Sequence, residues 1–144
     1  MGSAVPLALG SAVGQPERPV VAITGDGEHL MSIGAPATFA AIGSANLTVI
    51  VLDNGHFGET GMPVSHTSVG TDLVAVARGF GISEAERVTD LSEVYPITAR
   101  IRARSRTAYR HVPIEANEPP RALPPRDGVA DKNEFRAVLG FPTF

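Results

Sequence analysis

Gly25-Asp26-Gly27 follows the apolar run Val20-Val21-Ala22-Ile23, and Asp53-Asn54 follows Leu47-Thr48-Val49-Ile50-Val51-Leu52. Alone, each short segment is a common turn. Together they place a carboxylate between glycines and a carboxamide at the ends of two strands, the pattern of a Mg²⁺-anchored diphosphate site. Mg²⁺ takes about six oxygens near 2.0–2.1 Å and shares them among a few protein ligands, phosphates and water. A carboxylate, a carboxamide oxygen and one backbone carbonyl leave room for two diphosphate oxygens and a water. Gly25 and Gly27 let the backbone approach phosphate without a Cβ in the way. A helix opening at Glu28 adds unpaired N–H groups and a positive dipole end. No Lys or Arg stands here, so the metal supplies the neutralising charge.

These residues need a scaffold that brings two strand ends together. In a parallel βαβ unit both strands end on one edge of the sheet, where open α/β sheets bind ligands. Neighbouring strands lie roughly 5 Å apart, so Asp26 and Asn54 can reach one ion even across an intervening strand. Val20 to Thr24 and Leu47 to Leu52 are continuous apolar runs, which predict strands buried on both faces. Between them Glu28 to Ile42 has helical length, weakened and open to a kink at Gly34 and Pro36. Ser3 to Val13 precedes them as a helix. A glycine-rich loop, Gly55 to Gly70, follows. Asp72 caps a helix ending near Gly79 and Gly81. Arg87-Val88 is a short strand, Leu91 to Arg104 a helix, Arg110 to Ala116 a final strand and Lys132 to Leu139 a terminal helix. Alternating strands and helices define a three-layer α/β/α fold with a mostly parallel sheet.

The bulk composition bounds the function. The chain has 144 residues, 43% of them hydrophobic, a net charge of −3 and no cysteine. That length supports one domain with a sizeable core. No basic run suggests nucleic acid, and no apolar stretch approaches the roughly 20 residues of a membrane span. Met1 to Val13 is not read as a signal peptide, since it lacks a basic start and contains Pro6. Absence of cysteine excludes disulfides and thiolate metal sites and permits a cytoplasmic location. A dinucleotide site competes for Gly25-x-Gly27, but Leu30 stands where its third glycine belongs. No P-loop sequence occurs.

Gly25-Asp26-Gly27 with Leu52-Asp53-Asn54 resembles the signature of the diphosphate-binding (PP) domain of thiamine diphosphate enzymes. The stretch Leu52-Asp53-Asn54-Gly55-His56-Phe57-Gly58-Glu59-Thr60-Gly61 resembles, more narrowly, the sulfopyruvate and phosphonopyruvate decarboxylases. The similarity runs from Met1 to about Leu139, including the arm Pro119 to Gly128. It implies Asp26 and Asn54 as side-chain Mg²⁺ ligands, with the backbone carbonyl of His56. It implies that Gly25, Gly27 and Glu28 face the diphosphate, that the turn at Phe57-Gly58 closes over it, and that Met1, Gly2 and Ser3 meet the aminopyrimidine. Related domains carry roughly another strand and helix before this segment, so residues 1–118 form a cofactor domain without them, and residues 119–144 an arm and short helix.

The resemblance also implies a missing half. The glutamate that contacts the aminopyrimidine belongs to a separate pyrimidine-binding domain, so this chain would be a β-type subunit. Its α-type partner would complete the site, in a dimer or hetero-oligomer such as α₂β₂. The expected reaction is non-oxidative decarboxylation of a small 2-oxo acid. A carboligase or lyase on the same cofactor stays open, as does a truncated, non-catalytic binding domain. Glu59 and His66 are the catalytic candidates in the loop, each also readable as an ordinary surface residue. His29 reads as supporting or exposed, His111 as structural, and Arg100 to Arg110 as an anion patch or a solvated face.

Overall fold

The computed structural model describes residues 1–117, 120 and 122–144. A parallel sheet in the order β1-β2-β4-β3 is formed by β1 (Val20–Gly25), β2 (Leu47–Asp53), β3 (Glu84–Arg87) and β4 (Ala108–Pro113). The helices are α1 (Ala4–Gly14), α2 (Asp26–Met31), α3 (Ala35–Ile42), α4 (Leu73–Gly79), α5 (Val94–Ala103) and α6 (Gly128–Val138). β1 and β2 are direct neighbours, with Gly25 opposite Leu52, so no strand separates the two candidate ends. This is the expected α/β architecture.

One face of the sheet carries the main core. Ala22, Val49, Val51, Ala85 and Tyr109 alternate onto it and meet Val5, Leu9 and Ala12 of α1, Phe39 of α3, and Leu73 and Ala77 of α4. The short apolar side chains of α1 let it lie close to β1. Asn46, just before β2, donates through its amide to the carbonyls of Ala12, Gln15 and Arg18 at 2.9–3.1 Å. The end of α1 therefore finds partners that its own sequence does not supply. On the other face Arg100 of α5 reaches Glu86 of β3 at 3.2 Å.

Several expectations change. β1 is not buried on both faces: it is an edge strand, and Ile23 is 63% exposed on the side away from α1. An apolar run shows that a strand can be covered, but not that anything covers it. The helix expected over Glu28 to Ile42 is two helices. Residues 32–34 turn between them, and Pro36 in the first turn of α3 has no N–H to carry a helix through. The third strand begins earlier than Arg87-Val88, and the last one spans Ala108–Pro113 rather than reaching Ala116. Asp72 caps α4 as expected, accepting from the N–H groups of Val74 and Ala75. Asp127 does the same for α6, which therefore starts before Lys132. The boundary at residues 118 and 119 and part of the arm lie outside the described residues.

Arg100, Arg104, Arg106 and Arg110 form ion pairs rather than an anion patch. Arg100 and Arg106 pair with Glu84, and Arg104 with Glu17 at 3.2 Å. Arg110 is buried and donates to the carbonyls of Glu84 and Tyr109. Among the described residues no helix is long and apolar enough to cross a membrane.

Candidate cofactor site

At the carboxyl end of β1, Gly25 caps a helix whose first residue is Asp26. That helix has only six residues, so its contribution to binding an anion is its free N–H groups rather than a long dipole. Asp26 is 2% exposed; Ser65 donates its hydroxyl to one carboxylate oxygen, and Thr67 Oγ1 stands 3.3 Å from the same oxygen. Among the described residues no Lys, Arg or His pairs with it. A buried carboxylate held only by hydroxyls is costly unless a cation joins it.

At the end of β2 the adjoining acid is fully engaged. Asp53 accepts from Gly55 N–H at 2.8 Å, from the Thr67 hydroxyl at 2.8 Å and from His111 Nε2 at 2.7 Å. Burial would raise its pKa, but these hydrogen bonds outweigh burial and hold the carboxyl below the usual carboxylate range. Asn54 then turns the chain: its Oδ1 accepts from His56 N–H at 3.0 Å, and His56 Nδ1 meets the Asn54 carbonyl at 2.8 Å. A carboxamide oxygen has two lone pairs, so Asn54 keeps one for a metal.

An open cleft of ≈ 640 Å³ joins these groups. Met1, Gly25, Asp26, Gly27, Glu28, Asn54, His56, Phe57, Gly58 and Glu59 all line it, with the apolar Ile23, Leu52 and Ile114. Gly2, Ser3 and His66 do not. His66 instead stands exposed with its ring edge-on to Phe57, 6.1 Å between centroids. Phe57 lies across Gly27 so closely that a Cβ there would fall 2.5 Å from the ring, so any side chain at this position would displace Phe57. His29 is neither exposed nor in the cleft: it is buried against Tyr109, and burial pushes its pKa down to about 4. His111 is structural, as expected.

The donor set suits Mg²⁺ and a diphosphate. Its atoms are hard oxygens, and among the described residues no cluster of three His, Cys, Asp or Glu forms a self-contained metal cage. Asp26 and Asn54 would contribute side-chain oxygens and His56 its carbonyl, leaving the remaining positions to phosphate and water. Gly25-Asp26-Gly27 and Asn54 were legible as local motifs. Ser65 and Thr67 were not: they stand 39 and 41 residues from the carboxylate they orient. A run of hydroxyls in the loop, Ser65 to Ser68, was their one visible trace.

The chain is thus a parallel α/β domain with a buried acid, a carboxamide and a glycine turn gathered at the carboxyl edge of its sheet. The chain belongs to the family described as thiamine pyrophosphate enzyme, C-terminal TPP binding domain, whose model matches residues 1–112. It is 38% identical over 114 residues to a phosphonopyruvate decarboxylase of Streptomyces hygroscopicus, covering 79% of this chain and 28% of that protein. It is 35% identical over 115 residues to the sulfopyruvate decarboxylase subunit beta of Methanothermobacter thermautotrophicus, covering 80% and 58%. The fold matches the crystal structure of benzoylformate decarboxylase from Polynucleobacter necessarius with a TM-score of 0.66 and 25% identity, over 83% of this chain and 24% of that one. The chain thus spans less than two thirds of the length of each of these relatives.

Proposed function

We propose that this chain is the thiamine diphosphate- and Mg²⁺-binding subunit of a non-oxidative 2-oxo acid decarboxylase of the sulfopyruvate or phosphonopyruvate type, a carboxy-lyase working in the cytoplasm. The single observation that carries the reading is the buried Asp26 carboxylate, oriented by the Ser65 hydroxyl and lacking a cationic partner among the described residues, beside a glycine that lies directly under the Phe57 ring. The relatives' names support the reaction class.

In this reading Asp26 and Asn54 hold the metal with the His56 carbonyl, and the N–H groups of Gly27 and Glu28 meet the diphosphate. Phe57 and Gly58 close over the phosphates. Met1, Ile23, Leu52 and Ile114 provide the apolar wall that a heterocyclic ligand needs. The bound cofactor supplies the electron sink that accepts the pair released with CO₂. Glu59, exposed at the mouth of the cleft, faces where a small 2-oxo acid would approach. A pyrimidine-binding α-type subunit completes the site in a hetero-oligomer, a reading supported by the beta-subunit relative.

Calorimetric titration of the chain with thiamine diphosphate tests this directly. Saturable binding in Mg²⁺, lost in EDTA, is the expected result. Absence of binding by the folded chain, both alone and with a pyrimidine-domain partner, would remove the assignment.

A further inference from the structure

Glu28 has a second occupation besides lining the cleft. Its carboxylate accepts from Gly2 N–H at 3.0 Å and from Ala4 N–H at 3.1 Å through Oε1, while Thr24 donates its hydroxyl to Oε2. α1 has no side-chain cap of its own at Ser3, so a residue 24 positions away from Ala4 supplies the acceptor that its first turn lacks. Gly2 adopts φ +82°, and a Cβ on it would come within 3.1 Å of the Met31 side chain. The N-terminal segment is therefore tied down from α2 at two points, one polar and one steric. Met1, 75% exposed, is the residue this tie delivers to the cleft wall.

We propose that Glu28 is a positioning residue whose carboxylate latches the N-terminal segment onto α2 and so holds Met1 as a wall of the cofactor cleft. The latch governs affinity for the thiamine portion of the ligand independently of the diphosphate portion. The tie runs through the Glu28 carboxylate and the backbone of Gly2 and Ala4, whereas the groups proposed for the diphosphate end are Asp26, Asn54 and the backbone N–H groups of Gly27 and Glu28. The inference rests on the proposed cofactor reading.

The test compares wild type with Glu28→Ala, Glu28→Gln and Gly2→Ala in two measurements on the full chain. Calorimetry in Mg²⁺ gives the affinity for thiamine diphosphate and, separately, for inorganic pyrophosphate. Amide hydrogen exchange by NMR reports the N–H groups of Gly2 and Ala4. Loss of a helix-capping acceptor corresponds to about a fivefold to tenfold change in an equilibrium. Glu28→Ala and Gly2→Ala are expected to speed exchange by about that factor and weaken thiamine diphosphate about as much. For Gly2→Ala, which leaves Glu28 and its N–H in place, pyrophosphate affinity should stay within about twofold. Glu28→Gln keeps an acceptor oxygen and should restore most of both effects. Equal losses for the two ligands in Gly2→Ala, or exchange that does not change in either variant, would overturn the latch. If wild type binds neither ligand, the cofactor reading fails and takes the affinity claim with it, while exchange alone still decides whether Glu28 ties the segment.

Discussion

The ends of β1 and β2 each present an aspartate at the same edge of the sheet, yet the two acids have opposite fates. Asp53 is surrounded by donors: a backbone N–H, a hydroxyl and an imidazole share its two oxygens. Asp26 has hydroxyls on one oxygen only and no cationic partner among the described residues. Thr67 stands between them, 2.8 Å from Asp53 and 3.3 Å from Asp26, so the loop that satisfies one acid also orients the other. The difference shows how to separate a structural acid from a functional one: by what remains unsatisfied around it after the chain has folded.

Substitution should make that contrast measurable. Asp26→Ala should weaken Mg²⁺-dependent binding of thiamine diphosphate at least about a thousandfold, because a neutral site offers the metal no charge. Its stability in urea should fall by less than about 2 kcal/mol, the cost of leaving one hydroxyl without its acceptor. Asp53→Asn should invert the pattern. It breaks a buried pair with His111 and should cost about 3 kcal/mol of stability. If Asp26→Ala unfolded the chain while Asp53→Asn lost only binding, the roles would have to be exchanged.

The contrast was half legible. The apolar runs ending in Gly25-Asp26-Gly27 and Asp53-Asn54 pointed to strands, and alternation with helices to a parallel sheet. Local pattern cannot show which acid finds partners, because His111 lies 58 residues from Asp53 and Ser65 39 residues from Asp26. The same limit explains β1. Val21 and Ile23 are as apolar as Ala22, but α1 covers only the face that Ala22 shares. The split between α2 and α3 was announced by Gly34 and Pro36. Its consequence, a short helix with little dipole behind the glycine cradle, followed only from the structure.

A third acid-base group sharpens the comparison from below the site. His29 sits on α2 three residues beyond Asp26, buried, with both ring nitrogens unpartnered among the described residues. Burial pushes its pKa from 6.5 down to about 4, so the unfolded chain binds a proton more readily than the folded one between those values. Its full contribution to stability is therefore present above about pH 6.5 and is lost as pH falls towards about 4. The loss amounts to at most about 3 kcal/mol. Urea midpoints measured from pH 7 to pH 4 should fall accordingly, and His29→Phe should flatten the curve. A slope that survived His29→Phe would belong to other groups. Ser65→Ala lies between site and scaffold. It should raise the Mg²⁺ concentration for half-maximal cofactor binding about fivefold, because Asp26 loses its closest orienting hydroxyl.

Glu59 supplies the smallest expected effect and tests the outer limit of the site. It lies in the 3₁₀ turn Gly58–Thr60, exposed, on the same loop as Asn54 and His56 but beyond the turn at Phe57. Its carboxylate is not among the oxygens that the strand ends offer to a metal. Replacing it with Gln removes charge at nearly constant shape, so thiamine diphosphate affinity should change by no more than about twofold, the scale of a surface substitution. With the partner present, a fall in turnover at unchanged cofactor affinity would place Glu59 at the substrate. Unchanged turnover would leave it a loop residue at the mouth of the cleft. A loss of cofactor binding as large as that of Ser65→Ala would extend the diphosphate site past Phe57 and redraw its boundary.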